Sequence, residues 1–579
     1  MWFEYLWPLP GVAARIKAFV GRNPAALSKA VYLTTAGLLF VAAGWNRFSL
    51  PQDPLAVPDS YLWPAVSRLS GGAFVHLQGL NFLYPGLIYI ILRTFGDFRA
   101  ISIWQHLLGL AAGALFLASW SRLAEFFPRP RVSRVAHEAM GLFGVGIYLL
   151  STAPLSFEMS IQSDGVCMFF AMLVFWLVIE FFYRRVVAPK SRMATIFGIS
   201  VVASAFVLGS LKPSFTLMAV LTVVAVIWSM LSLKNNRAAK LVFFGMTVFI
   251  VAVLTLTEHH LRRNDQTTKT FLPVTLFAIH AKIIHRQMLA DLEKGETAGY
   301  PREWLWTACD DLGRQIERTH ELYPDAFPRL GFQPDYLHYG ADAVLNRWQR
   351  ELGDDALVAF LRYWYWRSLA TRPLEFMTKI VDQLEVFYSL DCPAFSSRKK
   401  WPLSSLYAHS LSTLFYRRWG QLLSEIPSGS AFLERTKTLA SKNIVIRQNT
   451  AVQLFHVCCA RTYLLILFIS VPLAGLVLLK RNGSETSKCP AFWVLFFYFA
   501  TSANVLGVSV VHSMEIPRYS TVLFVSALFA QLWAIRWLIE TGLATFAKLR
   551  SGRSVSICRP LLAGDRQTRA NSCECKWTS

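Results

Sequence analysis

Charged residues are scarce in this 579-residue chain: Asp, Glu, Lys and Arg together make up 16% of it, against about 25% in an average soluble protein. A disordered chain would need more charge and fewer apolar residues, and this chain is 54% hydrophobic with a mean hydropathy of +0.38. Its nine cysteines are too scattered for a disulfide-rich mini-protein. Dinucleotide-binding and Walker motifs and internal repeats are also missing. The composition therefore indicates a protein whose main solvent is lipid.

Basic residues are the exception to this scarcity, since 58 Lys and Arg against 36 Asp and Glu give a net charge of +22. Such a charge could favour nucleic acid, but the chain has no zinc-finger, homeodomain or RNP pattern. In a multi-span protein, basic residues concentrate in cytoplasmic loops beside anionic lipid headgroups. We therefore expect membrane lipids, and no nucleic acid, as partners.

Long apolar runs predict the membrane topology, because a spanning helix needs roughly 20 mostly apolar residues. A cluster of Lys and Arg follows every second run, and the N-terminus is basic as well, which predicts that both termini are cytoplasmic. The ten predicted spans are residues 30–46, 101–120, 138–155, 165–183, 194–211, 214–232, 240–257, 460–480, 490–511 and 518–540.

Two amphipathic segments are predicted to lie at the membrane surface. Residues 81–96 contain a short apolar run, and counting it as a span would place the later basic loops outside. Runs of 10–14 apolar residues are more often interfacial than spanning. In residues 374–390, apolar side chains repeat at helical spacing and also suit the membrane surface; these are Leu374, Phe376, Ile380, Leu384 and Phe387.

The predicted fold is an all-α polytopic membrane protein with a mostly helical external domain. The expected parts are a cytoplasmic N-terminal segment (1–29), a transmembrane core (30–260) with a first external loop (47–100), a large external domain (261–459), C-terminal transmembrane helices (460–543) and a basic cytoplasmic tail (544–579).

Four charged residues beside predicted spans are candidates for function, since charge is costly there. Asp59, Asp164, Lys212 and Arg518 all fall at the outer surface in this topology. A carboxylate can act as general base on an acceptor, and cations can stabilise a departing phosphate. A phosphate leaves without protonation, so this set suits sugar transfer from a lipid phosphate.

At these positions the chain resembles the GT-C superfamily of integral-membrane glycosyltransferases, in particular the bacterial aminoarabinose transferases of lipid A and the protein O-mannosyltransferases. Pro58-Asp59-Ser60-Tyr61-Leu62 resembles the acidic motif of their first external loop, although Ser60 replaces the second acid. The other similar segments are Phe82-Leu83-Tyr84-Pro85, the acid Asp164, Leu211-Lys212-Pro213 and Arg518-Tyr519. The likeness covers residues 30–260 and 460–540.

The resemblance implies an inverting enzyme of the bacterial inner membrane that uses a polyprenyl-phosphate sugar donor. It implies no certain cofactor; a divalent metal is possible, although no metal ligands are assigned. The acceptor, whether lipid, glycan or protein, is left open. The implied roles are catalysis by Asp59 and Asp164, donor-phosphate binding by Lys212 and Arg518, and positioning of sugar or acceptor by Tyr61, Trp63 and Tyr84.

Simpler interpretations stand beside these roles. Asp59 or Asp164 could cap a helix, and Lys212 and Arg518 could anchor the chain to lipid headgroups. Asp53 is interpreted as a turn residue, and Glu158 and Glu515 are expected to be solvated. Two other functions also remain open: a flippase or transporter of a lipid-linked substrate, and a non-catalytic membrane subunit of an envelope-assembly complex.

Overall fold

A computed structural model describes residues 24–57, 61–75, 81–127, 129–232, 237–263, 266–340, 342–416, 419–480 and 485–554. These residues are almost entirely helical, as predicted. The helices of the N-terminal half are α1 (Pro24–Phe48), α2 (Trp63–Leu69), α3 (Leu83–Phe95), α4 (Arg99–Leu123), α5 (Arg134–Leu150), α6 (Thr152–Glu158), α7 (Asp164–Phe182), α8 (Ser191–Leu211), α9 (Thr216–Leu231) and α10 (Arg237–Arg262).

The next region contains shorter helices and a two-stranded antiparallel sheet, and the chain then returns to long helices. The shorter helices are α11 (Gln266–Ile279), α12 (Ala281–Glu293), α13 (Arg302–Leu322), α14 (Tyr336–Tyr339), α15 (Val344–Leu352), α16 (Asp354–Thr371), α17 (Pro373–Phe387), α18 (Leu403–Tyr416), α19 (Trp419–Ser424) and α20 (Pro427–Ser441). The strands are β1 (Lys400–Pro402) and β2 (Val445–Arg447). The last helices are α21 (Thr450–Leu479), α22 (Glu485–Val511), α23 (Pro517–Thr521) and α24 (Phe524–Ser554).

Several of these helices fit a multi-pass membrane protein. Among the described residues, eight are long and apolar enough to cross a membrane: α1, α4, α7, α8, α9, α10, α21 and α22. A ninth span results if α5 and α6, which are bent by 51°, count as one. Each of these helices corresponds to a predicted span, because the length of an apolar run is a direct requirement of the bilayer.

The last predicted span, 518–540, is interrupted, and its helices are not among these candidates. The chain forms the short helix α23, breaks, and continues as α24. Buried Arg536 in α24 donates a hydrogen bond from Nη1 to Glu540 Oε2 at 2.8 Å. The Glu540 carboxylate also accepts from the backbone N–H groups of Arg131 and Val132. This charged pair lowers the hydropathy of α24 and connects it to the segment before α5.

The long helices alternate in direction, so one end of the bundle collects the functional candidates. We call it the Lys212 end; α1, α5, α8 and α22 finish there, and α4, α7, α9 and α21 begin there. Contacts across it include those of Arg47 with Glu158, Thr152 with Gln448, and Ser214 with Asn504. Helix α3, predicted as interfacial, has 13 residues and is too short to span a bilayer.

The region between α10 and α21 also lies at the Lys212 end and has two apolar cores. Helices α11 to α16 pack around a core that contains Trp348, Phe360 and Trp364. A smaller core joins Trp401 and Tyr407 to Leu55, Leu155 and Met159 of the membrane part. The second core therefore fixes the helices of this region to the first loop and to α6.

Asp53 contributes to the same contact, so its interpretation as a turn residue was incomplete. Its carboxylate is buried and accepts from Arg435 Nε of α20 at 2.7 Å. Arg435 Nη2 also donates to Asp97 Oδ1 at 3.1 Å. Burial raises the pKa of Asp53, and Arg435 offsets part of that rise. Arg435 is thus the shared cation of two carboxylates from the first loop.

We expect Arg435→Gln to destabilise the protein by on the order of 1 kcal/mol, because a partly buried ion pair loses its cation while Asp53 stays buried. Thermal unfolding in one detergent measures the change. Lys437→Gln is the matched control, since Lys437 lies on the same helix and pairs with the exposed Glu434. Equal unfolding temperatures for the two variants would contradict the assigned role of Arg435.

Candidate functional site

Lys212 and Asp164 form a buried ion pair at the Lys212 end. Asp164 is the first residue of α7 and is 1% exposed, and Lys212 follows the last residue of α8 and is 5% exposed. Lys212 Nζ donates to Asp164 Oδ1. The other oxygen of the Asp164 carboxylate, Oδ2, is buried and has no hydrogen-bond partner among the described residues. One oxygen of this buried carboxylate is thus bonded to Lys212, and the other is unsatisfied within the described residues.

The backbone at Lys212 explains why its side chain turns inward. Proline disfavours the helical conformation in the residue before it, and Pro213 follows Lys212 directly. Lys212 accordingly adopts φ −150° and ψ 112°, which ends α8. A short 3₁₀ turn, Pro213–Phe215, then leads into α9. A Lys-Pro pair between two spans therefore sets the direction of the amine.

Arg518 and Tyr519 complete the cationic side of the site. Lys212 Nζ lies 4.8 Å from the centroid of the Tyr519 ring, and Arg518 Cζ lies 5.3 Å from the same centroid. These are cation–π distances. Arg518 is half-buried on the short helix α23. The structure thus brings together Asp164, Lys212 and Arg518, three of the four charged candidates; Asp59 lies outside the described residues.

The aromatic candidates Tyr61 and Tyr84 pack beside the loop that precedes Asp164. Ser163 Oγ donates to the Tyr61 hydroxyl at 3.3 Å, and the Tyr61 and Tyr84 rings meet edge to face at 5.2 Å. Tyr84 is 1% exposed and donates to Gln105 Oε1 at 3.0 Å. Burial raises the pKa of Tyr84 well above its usual value, so the hydroxyl stays neutral. Trp63 is half-buried at the start of α2.

A buried triad of Arg47, His106 and Glu158 beneath this loop was not predicted, and Glu158 is not solvated as expected. Its carboxylate accepts two hydrogen bonds from Arg47, Nε to Oε2 at 2.8 Å and Nη2 to Oε1 at 2.9 Å. His106 Nδ1 lies 2.8 Å from Glu158 Oε2. All three side chains are at most 1% exposed. The signal for this triad was present in the sequence, because Gln105 and His106 interrupt an apolar run and polar residues in spans need partners.

The loop between α6 and α7 is held in place by these neighbours. Leu55 pairs with it as an isolated parallel bridge, with its N–H donating to Met159 O at 2.7 Å and its carbonyl accepting from Ile161 N at 2.9 Å. Gln105 Nε2 donates to the carbonyls of Glu158 and Ser160. Asp164 therefore enters α7 from a fixed loop.

A second buried network holds the segment that precedes Arg518, and Glu515 belongs to it rather than being simply solvated. Lys379 of α17 donates to the carbonyls of Ser509 and His512, both at 2.7 Å. Gln383 accepts from Ser513 Oγ and donates to Glu515 Oε2. Burial lowers the pKa of Lys379 to about 7, although Glu515 opposes the shift. Helix α17 thus fixes the end of α22 beside the site.

An apolar groove of about 790 Å³ begins next to the Lys212–Pro213 turn. Its first lining residue along α9 is Leu217, and Ser214 of the turn accepts a hydrogen bond from Asn504 of α22. The groove runs between α9, α21 and α22, with α17 at its edge. Its other walls include Val220, Val224, Leu384, Tyr388, Phe468, Phe499 and Leu506.

A cleft of about 640 Å³ lies beside the segment that precedes Arg518. Residues 325–329 form one wall, and Glu515, Ile516 and Pro517 form the other. No group of three or more His, Cys, Asp or Glu side chains within the described ranges could hold a metal ion. At the end of α10, Glu258 forms an ion pair with Arg262.

Comparisons of this chain with known protein families, with curated proteins and with solved structures found no match. The function proposed for the chain therefore rests on the geometry of its site.

We expect Glu158→Gln to destabilise the protein by about 3–5 kcal/mol, since it leaves the buried Arg47 charge without a counter-charge. Thermal or denaturant unfolding in detergent gives the difference. The matched control is Glu138→Gln, which removes an i,i+4 pair with the largely exposed Arg134 and should cost less than about 1 kcal/mol. A loss in Glu158→Gln no larger than in the control would mean that the triad does not hold the bundle end together.

Lys379 should make stability depend on pH in a defined window. Its pKa is about 7 in the folded protein and 10.5 as its ordinary value. Between these values only the unfolded chain keeps the proton, so raising the pH favours the folded state, and this contribution is lost as the pH falls through about 7. The stability of the native protein relative to Lys379→Met should therefore rise between pH 7 and 10. Lys437→Met is the control. The prediction would be contradicted if the stability of the native protein relative to each variant were equally independent of pH.

Proposed function

We propose that this chain is a membrane glycosyltransferase of the GT-C type, which moves a sugar from a polyprenyl-phosphate-linked donor to an acceptor at the outer membrane face. The observation that carries the proposal is the meeting of Lys212 and Arg518 at the Tyr519 ring, shortly before Leu217, the first residue of α9 that lines an apolar groove. A phosphate attached to a hydrocarbon tail matches both parts. Cations bind phosphate through charge-assisted hydrogen bonds, and the tail prefers apolar walls.

The proposed topology has ten spans, with the bent pair α5–α6 as the third and α24 as the last. Both termini are cytoplasmic, and the Lys212 end faces the periplasm from a bacterial inner membrane. Support comes from basic residues at the opposite end of the bundle, such as Arg129, Arg131 and Arg134 at or just before the start of α5, and Lys190 and Arg192 at the start of α8.

In the proposed reaction, the acceptor oxygen forms a bond to the anomeric carbon, and the bond from that carbon to the donor phosphate oxygen breaks. The acceptor proton passes to a carboxylate, and general-base help of this kind is typically worth about 10²–10⁴-fold in rate. Asp59 takes that role from the family resemblance, and Asp164 adds a second acid with an unbonded oxygen. The negative charge of the departing polyprenyl phosphate stays beside Lys212 and Arg518.

The apolar groove and the cleft give the two proposed substrates separate approaches to the site. The donor tail would lie in the apolar groove, and the acceptor would arrive through the cleft between residues 325–329 and Pro517. Tyr519 lies against both cations and could contact the sugar between them.

We expect Arg518→Gln to weaken binding of polyprenyl phosphate by about 10- to 150-fold, because one charge-assisted contact is worth roughly 1.5–3 kcal/mol. Native mass spectrometry of the purified protein with polyprenyl phosphate measures the bound fraction. Polyprenol, which has the tail without the phosphate, is the matched ligand, and its binding should not change. Lys437→Gln is the matched variant. Equal binding of phosphate and alcohol to the native protein would contradict a phosphate site.

Transfer is tested with the neutral double variant Asp164→Asn/Lys212→Gln, because it replaces a buried ion pair by a hydrogen-bonded neutral pair and leaves no single charge behind. In proteoliposomes that contain polyprenyl-phosphate sugars and a membrane extract as the source of acceptors, the native protein should transfer the sugar to an acceptor and release polyprenyl phosphate, and the double variant should not. Full release by a well-folded double variant would remove the pair from the mechanism. Lipid-linked sugar that changes leaflet but stays intact would identify a transporter instead.

A further inference from the structure

Helix α17 has three faces with different surroundings. The first face packs against the end of α22 and is buried; it contains Phe376, Lys379, Gln383 and Phe387. This result corrects the apolar stripe expected from the sequence, because Phe376 and Phe387 face protein. The second face is acidic and is paired with the external region. Glu375 bonds Arg286 at 2.8 Å, and Glu385 bonds Arg329 at 3.2 Å.

The third face of α17 is apolar and is not covered by protein in the described structure. Leu374 is 79% exposed, Met377 56% and Val381 48%. Leu384 and Tyr388 continue this face at the same helical spacing of three and four residues. We call these five residues the α17 stripe. An exposed apolar stripe of this length on an otherwise paired helix indicates an interaction surface.

The C-terminal end of the α17 stripe, Leu384 and Tyr388, lies at the depth of the spans. Leu384 and Tyr388 line the groove together with residues of the spans α9, α21 and α22. The Tyr388 hydroxyl lies 2.6 Å from Ser502 Oγ, which is about 13 Å down α22 from its last residue at 1.5 Å per residue. Lys379, by contrast, bonds the carbonyls at the very end of α22. Helix α17 therefore descends along the flank of α22.

We propose that the α17 stripe is a lipid-contact surface that seats this external helix in the outer leaflet of the bilayer. The stripe is continuous with groove walls formed by spans, whose surroundings are acyl chains. The acidic face points to the external region, so the helix presents charge to protein and water and apolar side chains to lipid. Interfacial helices of this kind bury their apolar face about 5–10 Å into the boundary between headgroups and acyl chains.

This contact has a consequence for the neighbouring site. The buried face of α17 holds Ser509, His512 and Glu515 through Lys379 and Gln383. The bilayer therefore supports, through one helix, the segment that carries Arg518. The lipid contact itself does not depend on the proposed transferase function, because it requires no donor, acceptor or turnover.

Site-specific photocrosslinking tests the surface. A genetically encoded diazirine amino acid replaces Met377 or Val381 on the stripe, and Thr378 or Asp382 on the neighbouring polar face as matched controls. The purified full chain is reconstituted in nanodiscs of phosphatidylethanolamine and phosphatidylglycerol and illuminated. We expect lipid adducts, identified by their mass, at positions 377 and 381 several-fold above those at 378 and 382.

Two results would overturn the proposal. Equal lipid adducts at all four positions would mean that the stripe has no preference for lipid. Crosslinks from positions 377 and 381 to a second copy of this chain, seen as a dimer by mass, would identify the stripe as a protein interface. Because all four positions are at the surface of α17, a monodisperse elution profile for each variant is sufficient evidence of folding.

Discussion

A carboxylate buried inside a bundle of apolar helices must have its charge balanced, and Glu158 sets this condition for the Lys212 end. Its partners Arg47 and His106 come from α1 and α4, and Arg47 also donates to the carbonyl of Leu149 at 2.8 Å. Removing one partner of a buried pair is far more costly than removing a surface pair. The triad therefore fixes the relative positions of α1, α4 and the bend between α5 and α6.

Three sets of contacts build the candidate site on that fixed end of the bundle. The loop after Glu158 is paired with Leu55 and bonded by Gln105, and it delivers Asp164 to the start of α7. Pro213 forces Lys212 out of the helical conformation and so ends α8 opposite Asp164. On the third side, Lys379 and Gln383 hold the segment before Arg518. Of these three site candidates, only Lys212 is thus placed by its own neighbour in sequence, whereas Asp164 and Arg518 depend on distant segments.

Sequence reasoning succeeds here where a property is local. Apolar runs of about 20 residues predicted the helices that could span a membrane, and charges at the ends of such runs led to Asp164, Lys212 and Arg518. It failed where the partner is distant. Asp53 and Arg435 are 382 residues apart in the chain, and nothing in either segment indicates the other. The interruption before α24 was missed because residues 518–540 form a nearly continuous apolar run, and no Pro or Gly marks the break at Val522 and Leu523.

The apolar groove is open along its length to the side, since Val220, Val224, Phe468 and Phe499 are exposed walls between spans. A molecule held there by its tail would arrive by moving within the leaflet and would never pass through water. The concentration that determines its binding is then its surface density in the membrane, and its rate of arrival is governed by two-dimensional diffusion. Diluting the aqueous phase would leave occupancy unchanged, whereas diluting the membrane with inert lipid would lower it.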